Sequence, residues 1–204
     1  MLHVVTKENR HLYTRRLDEM FRLRYEVFVE ERGWNLKCEA PLEIDQFDVD
    51  DAIYFLFFDQ DEEIAATFRI LPTTGPHMMS EVFPHLCSEG PLVGETIYEG
   101  TRAAVRRKHR KAGIVWQSMM AGIYEYCLLC DIDRLTGVFD LPVFLDRIKN
   151  GVDFRPLGPP TEVDGDMCIA HYRPITVESL QTIRQQLGLK GPMLTYIREL
   201  DRAA

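Results

Sequence analysis

Apolar and polar positions change period several times along this chain, and each change marks an element. "LHVV" at residues 2–5 reads as a short strand. From Tyr13 to Glu31 the apolar residues Leu17, Met20, Phe21, Val27 and Phe28 recur near helical spacing and predict a helix, with Arg24 one turn ahead of Phe28. The period vanishes after Gly33, and the stretch to Asp51, with Pro41 and many acids, predicts a structured loop. "AIYFLFF" (52–58) and "IAATFRIL" (64–71) are β-rich runs joined by the acidic turn "DQDEE", which predicts an antiparallel hairpin with Arg69 inside its second strand.

Pro and Gly punctuate "PTTGPHMMSEVFPHLCSEGP", which leaves room for one helical turn at "SEVFPHL" before a strand near 94–105 that contains "YEGTRAAV". The basic loop "RRKHRKAG" follows, then a continuously apolar helix, "IVWQSMMAGIYEYCLLC", and the strand "DRLTGVF". Pro142 fits the first turn of a helix ending near Gly151, "MCIAHYRPI" is a further strand, and Thr176 suits the cap of a helix that stops before Gly188. The sum predicts an α/β fold in one domain, residues 1–204, with a mixed sheet between two helical layers.

Composition narrows the class. At 204 residues the chain is long enough to bury about 70% of its unfolded surface. No run of 18 apolar residues occurs, and "MLHVVTKENRHLY" lacks the order of a secretory signal, so a cytoplasmic protein without a membrane partner is expected. Five cysteines, at 38, 87, 127, 130 and 168, read as reduced thiols. The net charge of −8 argues against a nucleic-acid partner, while "RRKHRK" (106–111) predicts either one anionic partner or a solvated loop.

The segment "RLRYEVFVEERGWNLKCEAPLEIDQFD" (22–48) carries Arg24-x3-Phe28-x5-Trp34-x10-Asp45-x2-Asp48. This order resembles the signature of the LuxI-type acyl-homoserine-lactone synthases, a bacterial family. Arg69, Phe83 in "SEVFPHL", and Glu99 with Arg102 in "YEGTRAAV" fall where the same family places functional residues, so the resemblance spans residues 1–155. It implies a splayed sheet similar to that of the GNAT acyltransferases. It also implies two substrates, S-adenosylmethionine and an acyl thioester of acyl carrier protein or coenzyme A. The implied products are an N-acyl-homoserine lactone, a quorum-sensing signal read by a LuxR-type receptor, and methylthioadenosine. No metal and no cofactor is implied.

The residue chemistry agrees with those substrates. Phe28 and Trp34 can stack on adenine or lie against a sulfonium by cation–π attraction, and Phe28 serves equally as a core ring. Arg24, Arg69 and Arg102 against Asp45, Asp48 and Glu99 read as an ion-pair cluster that orders the loop, or as a site in which one guanidinium holds the substrate carboxylate. An α-amine with a pKa near 8 needs a base before it attacks a thioester. Glu99 is the candidate, directly or through water, and its alternative role is as a partner of Arg102. Backbone N–H groups from Thr101 to Ala104 would stabilise the thioester oxyanion if the strand splays there.

Arg106, Arg107, Lys108, Arg110, Lys111 and Gly113 suit a pantetheine pyrophosphate or an acidic carrier protein. "RKAG" offers Arg110 and Gly113 but lacks the second small residue of the GNAT phosphate loop, so the donor stays open. Phe139, in "LTGVFDLP", stands where members using 3-oxo chains have Thr, which implies an unsubstituted, branched or aryl acyl group. "CLLC" (127–130) reads as two core thiols one turn apart, and the histidines show no pairing. Two rival functions share these features: a GNAT-like N-acyltransferase acting on another amine, and a non-catalytic module that binds an acidic carrier or nucleic acid through "RRKHRK".

Overall fold

The computed structural model describes residues 1–195. Its elements follow the order β1 (Leu2–Val5), α1 (Thr14–Tyr25), β2 (Ile53–Phe58), β3 (Ile64–Pro72), α2 (Met78–Glu81), β4 (Ile97–Val105), α3 (Ile114–Leu129), β5 (Arg134–Asp140), α4 (Leu141–Lys149), β6 (Arg155–Pro156), β7 (Thr161–Val163), β8 (Asp166–Pro174), α5 (Val177–Leu187) and β9 (Leu194–Thr195). The described residues divide into two compact units, residues 1–69, 102–126 and 178–195 in the first, and residues 70–101 and 127–177 in the second.

In the first unit β1 pairs antiparallel with β2, from Leu2↔Phe57 to Val5↔Tyr54, and parallel with β9. The order continues from β2 to β3 and to the end of β4. Leu2, Val4, Phe55, Leu56, Ile64 and Ala65 are all buried, so these strands show apolar runs rather than alternation. The predicted helix from 13 to 31 is two elements. α1 ends at Tyr25, and a π-helical segment covers Glu26–Glu31, marked by Arg32 N–H donating to the Val27 carbonyl at 3.2 Å. Periodicity cannot separate the two, since one wide turn displaces the pattern by a single residue.

In the second unit β5 is central. It pairs parallel with β4 over Ile97↔Arg134, Tyr98↔Leu135 and Glu99↔Thr136, and antiparallel with β8 from Arg134↔Pro174 to Asp140↔Cys168. β6 and β7 both pair with β8. The sheet is mixed, as the sequence predicts. β4 starts at Ile97, later than the predicted 94, because Gly94 O and the Thr73 hydroxyl close a turn there instead. The helical turn also lies earlier, at α2, with only a 3₁₀ turn at Pro84–Leu86. Pro142 opens α4 as expected. Cys127 is buried in α3, and burial pushes its thiol up to about 12, but Cys130 lies past the helix end and is exposed, so "CLLC" is not a pair of core thiols.

Candidate active site

In the first unit, α1 delivers the Arg24 side chain into the interior at 1% exposure, β3 delivers that of Arg69 at 0%, and β4 that of Arg102 at 8%. Three guanidinium groups out of water need carboxylates. The loop 43–48 supplies them. Arg24 Nε donates to Glu43 at 2.6 Å, and Nη1 and Nη2 donate to the two oxygens of Asp48 at 2.8 and 2.9 Å. Arg69 forks onto Asp45 at 2.6 and 3.0 Å and reaches Asp48 at 2.8 Å. Arg102 donates Nε to Glu43 at 3.1 Å and pairs with Asp45 at 2.7 Å.

The loop is folded by the same groups. Asp48 accepts the Asp45 N–H at 2.8 Å and the Tyr54 hydroxyl at 2.9 Å, and Asp45 accepts the Phe47 N–H at 2.8 Å. Burial raises the Asp48 pKa, but the hydrogen bonds and charge of Arg24, with the charge of Arg69, outweigh it and hold the carboxyl well below the usual range. Burial and the Asp48 charge push the Tyr54 hydroxyl up, so it donates. The third carboxylate of the cluster is therefore Glu43, in the place the sequence reading gave to Glu99. The signal was present in "LEID": three interior cations with two loop carboxylates leave a charge unanswered, and Glu43 is two residues before Asp45.

The rings adjoin this network. The π-helical segment widens the chain ahead of Gly33, whose φ of +70° lies in the left-handed region. Trp34 N–H then donates to the Phe28 carbonyl at 2.9 Å, which folds the indole back over the Phe28 ring with centroids 5.0 Å apart and planes 8° apart. Phe28 is 2% exposed and Trp34 half-buried, with Arg102 against the Phe28 ring at 5.7 Å and Arg32 against Trp34 at 5.3 Å. The two rings stack on each other, and the indole is the one that keeps an accessible part.

Basic side chains of the loop after β4 are largely answered within the same unit. Arg106 pairs with Glu26 at 3.1 Å, Lys108 with Glu63 at 2.6 Å, His109 with Asp59 at 2.9 Å, and Arg107 and Arg110 with Glu31 at 3.4 and 2.6 Å. Arg107 still keeps its side chain 75% exposed, and Lys111 is exposed just ahead of Gly113, at φ +66°, and the start of α3. The strongly cationic patch read from "RRKHRK" is thus a partly neutralised one, since carboxylates distant in sequence fold onto it.

The second unit holds Glu99, Thr101, Phe83 and Phe139. Glu99 is 1% exposed, and its carboxylate accepts N–H from Met78 at 2.8 Å and from Met79 at 2.6 Å at the start of α2. Phe83 is half-buried against the cluster Met79, Leu86, Cys87, Cys168 and Ala170, which Val138 also joins. Thr101 is half-buried at the residue before Arg102, whose φ of +51° kinks β4 within the stretch expected to bind an oxyanion. Phe139 is on the other face of β5, stacked on His171 at 4.4 Å and edge-on to Phe154 at 5.3 Å. Gly137, on the face of Phe139, packs closely: a Cβ there would stand 3.1 Å from the Gly100 carbonyl, and that backbone would have to shift to admit it.

The first unit thus holds a buried Arg/carboxylate network beside a Phe/Trp stack, and the second unit a buried carboxylate on β4. The sequence model for "autoinducer synthase" matches residues 8–183. The chain belongs to the autoinducer synthase family. An isovaleryl-homoserine lactone synthase from Bradyrhizobium diazoefficiens is 34% identical over 213 residues, covering 100% of this chain and 93% of its own. A solved CoA-dependent acyl-homoserine lactone synthase, BjaI, with SAM and isopentyl-CoA, superposes with a TM-score of 0.91 at 31% identity over 98% of this chain and 94% of that one. An acyl-CoA N-acyltransferase from Pseudomonas aeruginosa, TM-score 0.60 at 19% identity over 85% of this chain and 99% of that one, shares the fold.

This autoinducer synthase is accordingly an acyltransferase that makes an N-acyl-homoserine lactone on a GNAT-like fold. The reading as a non-catalytic module falls with that membership. So does the general N-acyltransferase, which has no use for the Phe28/Trp34 stack or the carboxylate loop. No helix among the described residues is long and apolar enough to cross a membrane.

Proposed function

We propose that this synthase joins S-adenosylmethionine to a short branched acyl-coenzyme A. The reading is carried by likeness over the whole chain to an isovaleryl-homoserine lactone synthase and to a CoA-dependent relative solved with SAM and isopentyl-CoA. In this reading Trp34 offers its accessible part to adenine, backed by Phe28, and the Arg/carboxylate network keeps the loop 43–48 in place beneath them. Arg102, whose side chain is the least enclosed of the three cations, meets the substrate carboxylate in this reading.

The amine attacks the thioester carbonyl, the C–N bond forms and the C–S bond breaks, with the electron pair leaving on the coenzyme A sulfur. Glu99 takes the amine proton, and backbone N–H groups near the Arg102 kink meet the developing oxyanion. In the second step the substrate carboxylate attacks its own γ-carbon, and the C–S⁺ bond breaks with its electrons going to methylthioadenosine. That step needs only proximity. Arg107, Lys111 and the N-terminus of α3 take the pyrophosphate, with Arg106, Lys108, Arg110 and Gly113 shaping the loop. Phe139 and the rings around it offer no hydroxyl, which suits an acyl group without a 3-oxo oxygen. Residues 1–204 act as one domain in the cytoplasm, and a LuxR-type receptor reads the product.

Mass spectrometry of reactions containing S-adenosylmethionine and isovaleryl-CoA, isovaleryl carrier protein, or a 3-oxoacyl thioester tests this. Isovaleryl-homoserine lactone formed fastest from the coenzyme A thioester is the expected result. Preference for the carrier protein or for the 3-oxo chain would overturn the donor or the chain assignment respectively.

A further inference from the structure

Glu99 is 1% exposed, so protein groups orient its carboxylate, among them the Met78 N–H at 2.8 Å and the Met79 N–H at 2.6 Å. Both belong to α2, a four-residue turn that closes Glu81 N–H on the His77 carbonyl at 3.0 Å and Val82 N–H on the Met78 carbonyl at 2.7 Å. A turn this short is not stable by itself, so its direction is set by what caps it. The cap is His77, 1% exposed and extended at φ −146° and ψ 163°. Its N–H donates to Ser80 Oγ at 3.3 Å, and that hydroxyl donates to the His77 carbonyl at 2.9 Å.

Nδ1 of the His77 ring lies 2.8 Å from the Gly75 carbonyl. The Ser80 N–H and hydroxyl also face Nδ1, the hydroxyl at 3.2 Å. A carbonyl can only accept, so the shorter contact places the ring hydrogen on Nδ1. Nε2 is then an acceptor, buried and without a partner among the described residues. An unpaired buried acceptor costs about what one good hydrogen bond contributes, so the imidazole adds little net stability. What it adds is direction, since it ties the residue ahead of Met78 to the preceding loop.

We propose that His77 is a positioning residue for amide formation, its Nδ1–H holding the α2 turn so that the Met78 and Met79 N–H groups grip the Glu99 carboxylate. This rests on the reading of Glu99 as the base. Each carboxylate oxygen has two acceptor sites. The backbone N–H groups take one on each oxygen, which fixes the carboxylate plane and leaves a defined site for the amine proton. Without the tie to Gly75 the cap residue swings, the N–H groups withdraw, and the enclosed carboxylate loses its orientation together with donors that favour its charged form. Cys87 also faces Glu99. Burial and then the Glu99 charge push its thiol up, so it stays protonated and adds no charge there. His77 needs no contact with substrate for this role.

The test measures kcat and both KM values with S-adenosylmethionine and isovaleryl-CoA for His77→Ala, His77→Asn and His77→Gln, each in the wild-type and Glu99→Gln backgrounds, with melting temperatures alongside. Asn carries an N–H as many bonds from the backbone as Nδ1, and Gln carries one at the position of Nε2. His77→Ala should lower kcat about tenfold, the loss of one cap and one buried hydrogen bond, with both KM values within about twofold. His77→Asn should recover most of that loss and His77→Gln little of it, and the melting temperature of His77→Asn should match wild type. In the Glu99→Gln background His77→Ala should lower kcat no further, because a residue that acts through Glu99 has nothing left to act through. An unchanged kcat in His77→Ala, recovery by Gln rather than Asn, an undiminished loss in the Glu99→Gln background, or a kcat that tracks melting temperature across the variants would each overturn the proposal. Unchanged kcat in Glu99→Gln alone, or a wild-type enzyme that forms no lactone, would instead overturn the reading beneath it.

Discussion

Arg24 and Asp48 meet through two parallel hydrogen bonds, Nη1 to Oδ1 at 2.8 Å and Nη2 to Oδ2 at 2.9 Å, with both side chains almost out of water. Asp48 also takes Arg69, Tyr54 and the Asp45 N–H. It is the point at which helix α1, strands β2 and β3 and the acidic loop are tied together. Asp48→Asn should therefore cost about 3–5 kcal/mol, because it leaves buried guanidinium groups under-neutralised. Urea denaturation measures this directly. A loss below about 1 kcal/mol, the scale of exposed pairs, would mean the network is solvated and does not order the loop.

The same pair fixes a pH dependence. The Asp48 carboxyl titrates lower in the folded chain than in the unfolded one, so its stabilisation is complete above its unfolded pKa, about 3.9, and is lost as pH falls toward the folded value. The acid limb of the stability curve below about pH 3.9 should flatten in Asp48→Asn. A limb of unchanged slope would assign acid unfolding to other carboxylates.

Arg24, Phe28, Trp34, Asp45 and Asp48 were legible in the sequence because one loop and the helix before it hold them at fixed spacing, and Arg69 and Arg102 because each is a cation inside an apolar strand. Glu43 was not singled out although the unanswered charge pointed to "LEID", since its two partners, Arg24 and Arg102, the latter 59 residues away, meet it only in the fold. The π-helical turn escaped for a different reason: it shifts the apolar period by one residue, within the tolerance of any helical reading.

Trp34 and Phe28 form a stack that the Gly33 turn sets, so the indole should matter more for substrate affinity than for folding. Trp34→Ala should raise the KM for S-adenosylmethionine about two- to tenfold, the scale of one aromatic stack, and leave the KM for acyl-coenzyme A within twofold. Trp34→Phe should recover part of the loss. Equal changes in both KM values would show that the ring only supports the loop.

The proposed reaction gives Glu99 a role that a structural carboxylate would not share. Its oxygens accept the Met78 and Met79 N–H groups, and a Gln side chain can still accept but cannot take a proton. Glu99→Gln should lower kcat about 10²- to 10⁴-fold with small changes in KM. Loss of the fold in circular dichroism, with activity falling only in proportion, would leave Glu99 as a cap for α2.

His171 supplies the last prediction. It is 3% exposed among Phe139, Phe144 and Phe154, and burial first, then the neighbouring Arg173 charge, bring its pKa down to about 3. The unfolded chain takes up a proton near pH 6.5, while the folded chain refuses it until about pH 3, so acid favours unfolding throughout that window. Stability contributed by the neutral ring is complete above pH 6.5 and declines by up to about 1.4 kcal/mol per pH unit below it. His171→Phe, a ring that cannot titrate, should remove that part of the slope between pH 6 and 4 while Asp48→Asn leaves it intact. Denaturation midpoints across this range separate the two groups. A slope that persists in His171→Phe would mean that the ring cluster admits water and that His171 is protonated in the folded chain.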